Sequence, residues 1–397
     1  MFVNNSYHIT YCTNVHPGAD WQQTSDSLKA YLPEIKARVS ETSPLGVGLR
    51  LSNKASEELG TGEKLMDFKE WLDDHGLYVF TMNGFPYGNF HNEAVKDMVH
   101  APNWSTPERL HYTRRLFEQL AYLLPEGMAG GISTSPVSYK HWHATPEAKQ
   151  KVLLEGAGNM ARIVLDLHRH EAASGAYMHL DIEPEPDGLL ENSMEVVGFF
   201  RDHLEPVAVP FLCHELGIDK GSARALIYRH ITVCYDICHF SLAYESPAHS
   251  FGNFKAAGIL VGKIQVSAAL KIKFKNGLEA ATWDALSVFN EPTYLHQVTE
   301  LRGQDVITYP DLPVVLQKRG DFRELRAHFH VPVFLEHFGL LESTQDQILE
   351  VLDYLKHHKI TGQLEVETYT WDVLPEPLKR PLADSIVREL QWLREHL

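Results

Sequence analysis

The sequence predicts an α/β protein of the (β/α)8, or TIM, barrel class, with a long insertion after the seventh strand. Three observations predict it. Eight short β-like runs recur along the 397 residues. Helical patterns separate most of them, which is the signature of parallel βαβ units. Eight such units close into a cylinder more readily than they spread into an open sheet. One barrel with insertions reaches this length, so residues 1–397 are read as a single domain.

The elements follow in order. "YHITYCTN" (7–14) is the first strand, and a helical pattern runs over 25–40. "LGVGLRLS" (45–52) precedes a helix at 64–75, and "YVFTMNG" (78–84) precedes one at 107–123. "GGISTSP" (130–136) leads to 146–171, and "AYMHLDIEP" (176–184) to 189–203. An extra helical stretch, "KGSARALIYRH" (220–230), comes before "ITVCYDICH" (231–239). "GKIQVSA" (262–268) is then followed by the stretch 269–342, where roughly 2–6 residues usually suffice. Insertions at this end of a barrel serve as lids or oligomer contacts, so a homo-oligomer is compatible with the sequence. A helix at 343–358, the last strand "QLEVETYTW" (363–371) and a helix at 383–395 complete the chain.

Alternation within the strands assigns their faces. The fifth sets His179, Asp181 and Glu183 against Met178, Leu180 and Ile182. The sixth sets Cys234 and Asp236 against Val233, Tyr235 and Ile237, and the seventh Lys263, Gln265 and Ser267 against Ile264 and Val266. The eighth sets Glu365 and Glu367 against Leu364 and Val366, and the first His8, Thr10, Cys12 and Asn14 against Tyr7, Ile9 and Tyr11. The outer face of a barrel packs under helices and must be apolar, so the polar set points inward. Lys263 would pair there with Asp181 and Glu365. The competing arrangement, an open sheet with one wet face, is uncommon for parallel strands.

Composition narrows the partners. A formal charge of −16 opposes binding to nucleic-acid phosphates. No run of about 18 apolar residues is present, so no membrane span is expected. The start, "MFVNNSYHIT", lacks the pattern of a secretory leader, and four unpaired-looking cysteines suit reduced thiols in a cytoplasm. Twenty-three histidines in a chain this acidic favour a metal ion.

Glu183, Asp236, Gln265 and Glu367 converge at the C-terminal mouth, where barrel active sites lie. Several acids in one place repel each other, and a divalent cation relieves that. Asp236 and His239 in "DICH" can turn toward one ion, flanked by Glu183 and Glu367, with Gln265 offering a neutral oxygen. Mixed O/N ligation suits Mn²⁺, Mg²⁺ or Zn²⁺. Glu185 competes with Glu183 but lies past Pro184, where alternation loses its meaning. His16, Asn83, His91, Lys263 and Trp371 are candidate substrate contacts. Phe85, Tyr87 and Tyr369 are candidates for an aromatic wall, and "KIKFK" (271–275) for a phosphate contact. Cys234 and Cys238 admit a thiolate zinc site. Plain salt bridges would account for the same charges without any ion.

Glu at strand 5, Asp-x-x-His at strand 6 and Glu at strand 8 resemble the xylose isomerase-like TIM barrels, a superfamily of sugar isomerases, ketose epimerases and the endonuclease IV group. Longer strings, among them "YCTNVHPG", "MNGFPYGNFH", "LDIEPEPDG", "CYDICHFS" and "ETYTWDVLP", resemble the EboE-type metabolite-traffic proteins. The resemblance implies metal carboxylates at Glu183, Asp236 and Glu367, with the two glutamates also moving protons. Its strand-7 histidine falls on Gln265, a departure that leaves His328 and His330 in "HFHVPVF" as candidates to complete the shell. The function implied is isomerisation or epimerisation of a sugar, its phosphate or another small hydroxylated metabolite. Two alternatives are a binding or delivery protein that kept the barrel without turnover, and metal-dependent phosphodiester hydrolysis, which the acidic charge opposes.

Overall fold

The computed structural model describes residues 1–89, 95–371, 373–376 and 379–397. Eight parallel strands form the barrel: β1 (Tyr7–Tyr11), β2 (Leu45–Arg50), β3 (Leu77–Asn83) and β4 (Gly130–Thr134). The others are β5 (Met178–Ile182), β6 (Ile231–Asp236), β7 (Val261–Val266) and β8 (Gln363–Val366). From β2 to β8 each pairs with the next in sequence, and β8 pairs with β1. The seam between β1 and β2 is the weak one, because the short strand Phe2–Val3 takes up the lower edge of β1. Above it, a Cys12–Gly48 bridge joins the two strands, and the Thr10 hydroxyl donates to Gly46 O and accepts from Gly48 N–H.

Alternation assigned the faces as observed. Ile9, Leu180, Val233, Ile264 and Leu364 are buried under the helices, several of which start at a Ser or Thr cap followed by proline: Pro107–Leu123, Pro146–Ser174 and Pro247–Ala257. The polar set is buried inside, apart from the half-buried His8. Glycines make room for it: a Cβ on Gly48 would lie 1.8 Å from Glu365 Oε1, and one on Gly262 would lie 2.0 Å from Asp181 Oδ1.

Among the boundaries that differ from the sequence reading, two have a clear local reason. The helix expected at 189–203 begins at Ser193, where the Asn192 side chain caps it, and runs on through a π turn to Leu216. The sixth strand ends at Asp236 rather than 239, because the Asp236 carboxylate accepts from His239 N–H and starts the helix Ile237–Leu242.

The stretch after β7 forms a second, six-stranded antiparallel sheet. Its order is Asp305–Tyr309, Val298–Arg302, Glu324–Val331, Ala268–Lys273, Leu341–Ser343 and His337–Phe338. Ala268–Lys273 follows β7 after a single residue, so the sheet stands directly at the C-terminal mouth. Among the described residues, no helix is long and apolar enough to cross a membrane. All four cysteines are free.

Candidate metal centre

Three strand ends bring three carboxylates together. Glu183 follows β5, Asp236 ends β6 and Glu367 follows β8; one oxygen from each lies within 4.8 Å of the others, and all three residues are buried. The sequence reading brought these residues to one place, and the structure agrees in that placement. Neutral donors hold two of them. Asp236 Oδ1 accepts from Ser267 Oγ at 2.7 Å and from the His239 N–H at 3.0 Å. Glu367 Oε1 accepts from Asn14 Nδ2 at 2.7 Å and Asn83 Nδ2 at 3.0 Å.

The electrostatics follow from that arrangement. Burial, then the charges of Glu367 and Asp236, push the Glu183 carboxyl well above its usual range. Burial, then Asp236 and Glu365, do the same to Glu367. Burial works on Asp236 in that direction too, but the neighbouring His239 and His330 rings and its two hydrogen bonds hold it below the ordinary value.

His330 comes from the strand Glu324–Val331, where a bulge interrupts pairing between Ala327 and Val331. Its Nδ1 sits 2.9 Å from Glu367 O. The strand buries His330 fully and His328 almost fully, so neither faces solvent. Burial lowers the pKa of both rings, that of His330 to about 4. A neutral ring donating from Nδ1 leaves its lone pair on Nε2. Among the described residues, Glu183 Oε2, Asp236 Oδ2 and His330 Nε2 are buried without a hydrogen-bond partner. Native interiors rarely leave such atoms unsatisfied. The donor set, carboxylates plus imidazole, fits a divalent cation.

The other candidates divide. Asn83 and Glu185 line the mouth cavity together with Phe85 and Tyr369. Gln265 does not line it: its Oε1 accepts from Cys234 Sγ at 2.6 Å inside the barrel. Lys263 lies below the mouth, its ammonium 2.6 Å from Glu365, with neither side chain exposed. His16 lies 2.8 Å from the Tyr11 hydroxyl and stacks on Tyr31, away from the cavity. Trp371 packs on Phe334, and Tyr87 on Tyr112. Lys271 and Lys273 of "KIKFK" pair with Asp346 and Glu342. Burial pushes the Cys234 and Cys238 thiols well up, which keeps them protonated unless a metal binds. His91 lies outside the described residues.

The sequence reading also missed residues. His100 is buried and lies 2.7 Å from Glu185, and Gln297 contacts His328 Nδ1 at 2.9 Å. Both line the cavity from segments whose approach no local pattern signals. Asn14 did carry a signal, since it shares the inward parity of β1.

Solved structures are similar to the chain in fold. A D-tagatose 3-epimerase-like protein has a TM-score of 0.50 at 11% identity, over 98% of this chain and 96% of its own. A xylose isomerase-like TIM barrel protein from Mycobacterium smegmatis in complex with magnesium gives 0.48 at 11%, over 100% and 98%. The IOLI protein with a binding zinc atom gives 0.45 at 11%, over 97% and 95%. No family model and no curated protein matches the sequence. At such identities the likeness is one of architecture, and the architecture is an α/β barrel of the TIM class.

Proposed function

We propose that the mouth binds one divalent cation through Glu183, Asp236 and Glu367, with His330 completing the set, and that the protein isomerises or epimerises a small polyhydroxylated carbonyl compound. The observation that carries this is three buried carboxylates at three strand ends within 4.8 Å of one another, with no lysine or arginine among their hydrogen-bond partners in the described residues. When bound, the cation would polarise a carbonyl or hydroxyl oxygen of the substrate and so acidify the neighbouring C–H.

The chain's own residues do the rest. Glu183 and Glu367 exchange the proton at that carbon, one taking it and the other returning it. Asn14 and Asn83 fix Glu367 through one oxygen and leave the other for the reaction. Phe85 and Tyr369 give the cavity an apolar wall suited to the C–H face of a sugar, while Gln297 and Glu185 offer hydroxyl contacts. The inserted sheet excludes water from the carboxylates.

The likeness in fold to a D-tagatose 3-epimerase-like protein agrees with this reading, and the resemblance to EboE-type proteins sets the reaction in metabolite processing or traffic. A delivery protein without turnover is the second reading, favoured by Gln265 standing where the superfamily has histidine. Incubation of the metal-loaded protein with a panel of ketoses in deuterated water separates the two. Solvent deuterium entering a substrate carbon is expected; its absence across the panel, with ligands still bound, leaves delivery.

A further inference from the structure

Two arginines near the mouth are buried with only backbone carbonyls for company. Arg50 ends β2 and is 3% exposed; Arg109 stands in the first turn of the helix Pro107–Leu123 and is fully buried. Among the described residues, each guanidinium donates to backbone oxygens alone. Burial lowers the pKa of both, that of Arg109 to about 10, which leaves it charged near neutral pH. A cation at the start of a helix also lies at the wrong end of the dipole. Burying charge in this way is costly, and a rigid fork of donors is what arginine offers in return.

Both forks hold the same loop, "GFPYG" (84–88), which follows β3. Arg109 Nη1 donates to Gly84 O at 2.8 Å and to Phe85 O at 3.0 Å, while its Nε reaches Pro102 O at 2.8 Å. Arg50 Nη2 donates to Pro86 O at 3.5 Å and to Gly88 O, and its Nη1 to Gly18 O at 3.1 Å. The remaining carbonyl, Tyr87 O, accepts at 2.8 Å from Asn53 N–H, a first-turn donor with no partner in its own helix. All five carbonyls of the loop are therefore held, and none of the three donor residues lines the cavity. Phe85 and Pro86 do line it.

The loop in turn sets an amide at the metal centre. Asn83 Oδ1 accepts from Phe85 N–H at 3.1 Å, which can only donate. The Asn83 amide thus has one orientation, with Nδ2 turned to Glu367 Oε1 at 3.0 Å. Were the loop to shift, the amide would be free to turn its oxygen toward the carboxylate and repel it.

We propose that Arg50 and Arg109 are positioning residues of the metal centre: by clamping the loop 84–88 from outside the cavity, they fix the Asn83 amide and through it Glu367. Contacts of this outer kind orient metal ligands and set affinity without touching the ion. The clamp rests on Glu367 binding a cation, as proposed above, and not on the reaction.

The test is Mn²⁺ affinity, read by equilibrium dialysis of the full chain after stripping with a chelator, with circular dichroism to confirm folding. Asn83→Leu should weaken binding by about 10–100-fold, the range for loss of an outer contact. Arg50→Met and Arg109→Met should weaken it too, yet add nothing further when combined with Asn83→Leu, because they act through that residue. Arg109→Lys keeps the charge and spares the fold but lacks the fork, and should show the same loss. Arg114→Met, on the same helix but paired with Asp166, should leave the affinity unchanged. Folded arginine variants that bind Mn²⁺ as tightly as the wild type, or losses that add in full to that of Asn83→Leu, overturn the clamp and leave the cation. A wild type that takes up no Mn²⁺ overturns both.

Discussion

Two layers of the barrel interior are built from the same strands two residues apart, yet they are balanced in opposite ways. In the lower layer each carboxylate has a basic partner. Glu365 faces Lys263, and Asp181 faces His179 at 2.5 Å with the Thr232 hydroxyl also donating to it. Burial pulls the Lys263 ammonium down, but Glu365 beside it more than offsets this and holds the lysine charged. In the upper layer Glu183 replaces Asp181, Gln265 replaces Lys263 and Glu367 replaces Glu365. The cation has gone and the carboxylates remain. Buried charge without a partner is costly; each lower carboxylate has a basic group beside it, although Asp181 Oδ2 and Glu365 Oε1 make no hydrogen bond among the described residues, whereas Glu183 and Glu367 have no lysine or arginine beside them there. That contrast marks the upper acids, rather than the lower ones, as the candidates for function.

Substitutions should therefore act in opposite senses on the two layers. The largest effect is expected for Glu183→Gln. Turnover, read as deuterium incorporation, should fall by roughly 10²–10⁴-fold, while the chelator-treated protein unfolds at the same or a higher temperature, because a repelling charge is gone. Below it, Lys263→Met should cost about 3–5 kcal/mol by stranding Glu365, read by denaturant unfolding. The Lys263→Met, Glu365→Leu pair should recover most of that loss, and zinc content should not change. If Lys263→Met were harmless and Glu183→Gln strongly destabilising in metal-free protein, the assignment of the two layers would be reversed. Next in size is the ion itself. At a hundred times its Kd, one bound cation should stabilise the wild type by about 2.7 kcal/mol, seen as a rise in Tm with added metal. The Asp236→Asn, Glu367→Gln variant should show a smaller rise.

Strand positions and the polar interior were legible in the sequence because alternation has a period of two and an α/β barrel must cover its outer face. Glu183, Asp236 and Glu367 followed from that rule, since each stands at or just past the end of a strand whose parity was already fixed. His239 followed from its spacing to Asp236, though as the end of the sixth strand rather than as the first turn of a capped helix. Parity fails where strands stop. Glu185 lies beyond Pro184, and its place at the site depends on contacts with His100 and His239 that no local pattern encodes. Gln265 shows the converse: its parity is inward as expected, but Cys234 occupies its oxygen. The inserted sheet was visible only as excess length. Where it delivers His328, His330 and Gln297 is decided by long-range pairing of Glu324–Val331 with Ala268–Lys273 and by the bulge within it.

One more buried acid sharpens the contrast, and here the expected effect is smallest. Glu389, on the C-terminal helix Leu382–His396, is 2% exposed and accepts only from neutral groups, Thr368 Oγ1 at 2.7 Å and Val333 N–H at 3.2 Å. Among the described residues it resembles the upper layer in lacking a cation but has no companion acids with which to share one, so it resolves its burial by keeping its proton. Burial raises its pKa from 4.5 to about 8, against the two hydrogen bonds that lower it. The unfolded chain releases that proton near 4.5, so between there and about 8 the folded state binds one proton more. Stability must then fall as pH rises through this window and level off above it. Glu389→Gln removes that dependence while keeping an oxygen for Thr368 and Val333. Its amide brings unpaired N–H groups that offset part of the gain, leaving about 1–2 kcal/mol of added stability near pH 8 and almost none near pH 5. Unfolding curves for both proteins across that range would show it, and a wild-type slope that Glu389→Gln leaves untouched would mean that Glu389 is ionised in the fold.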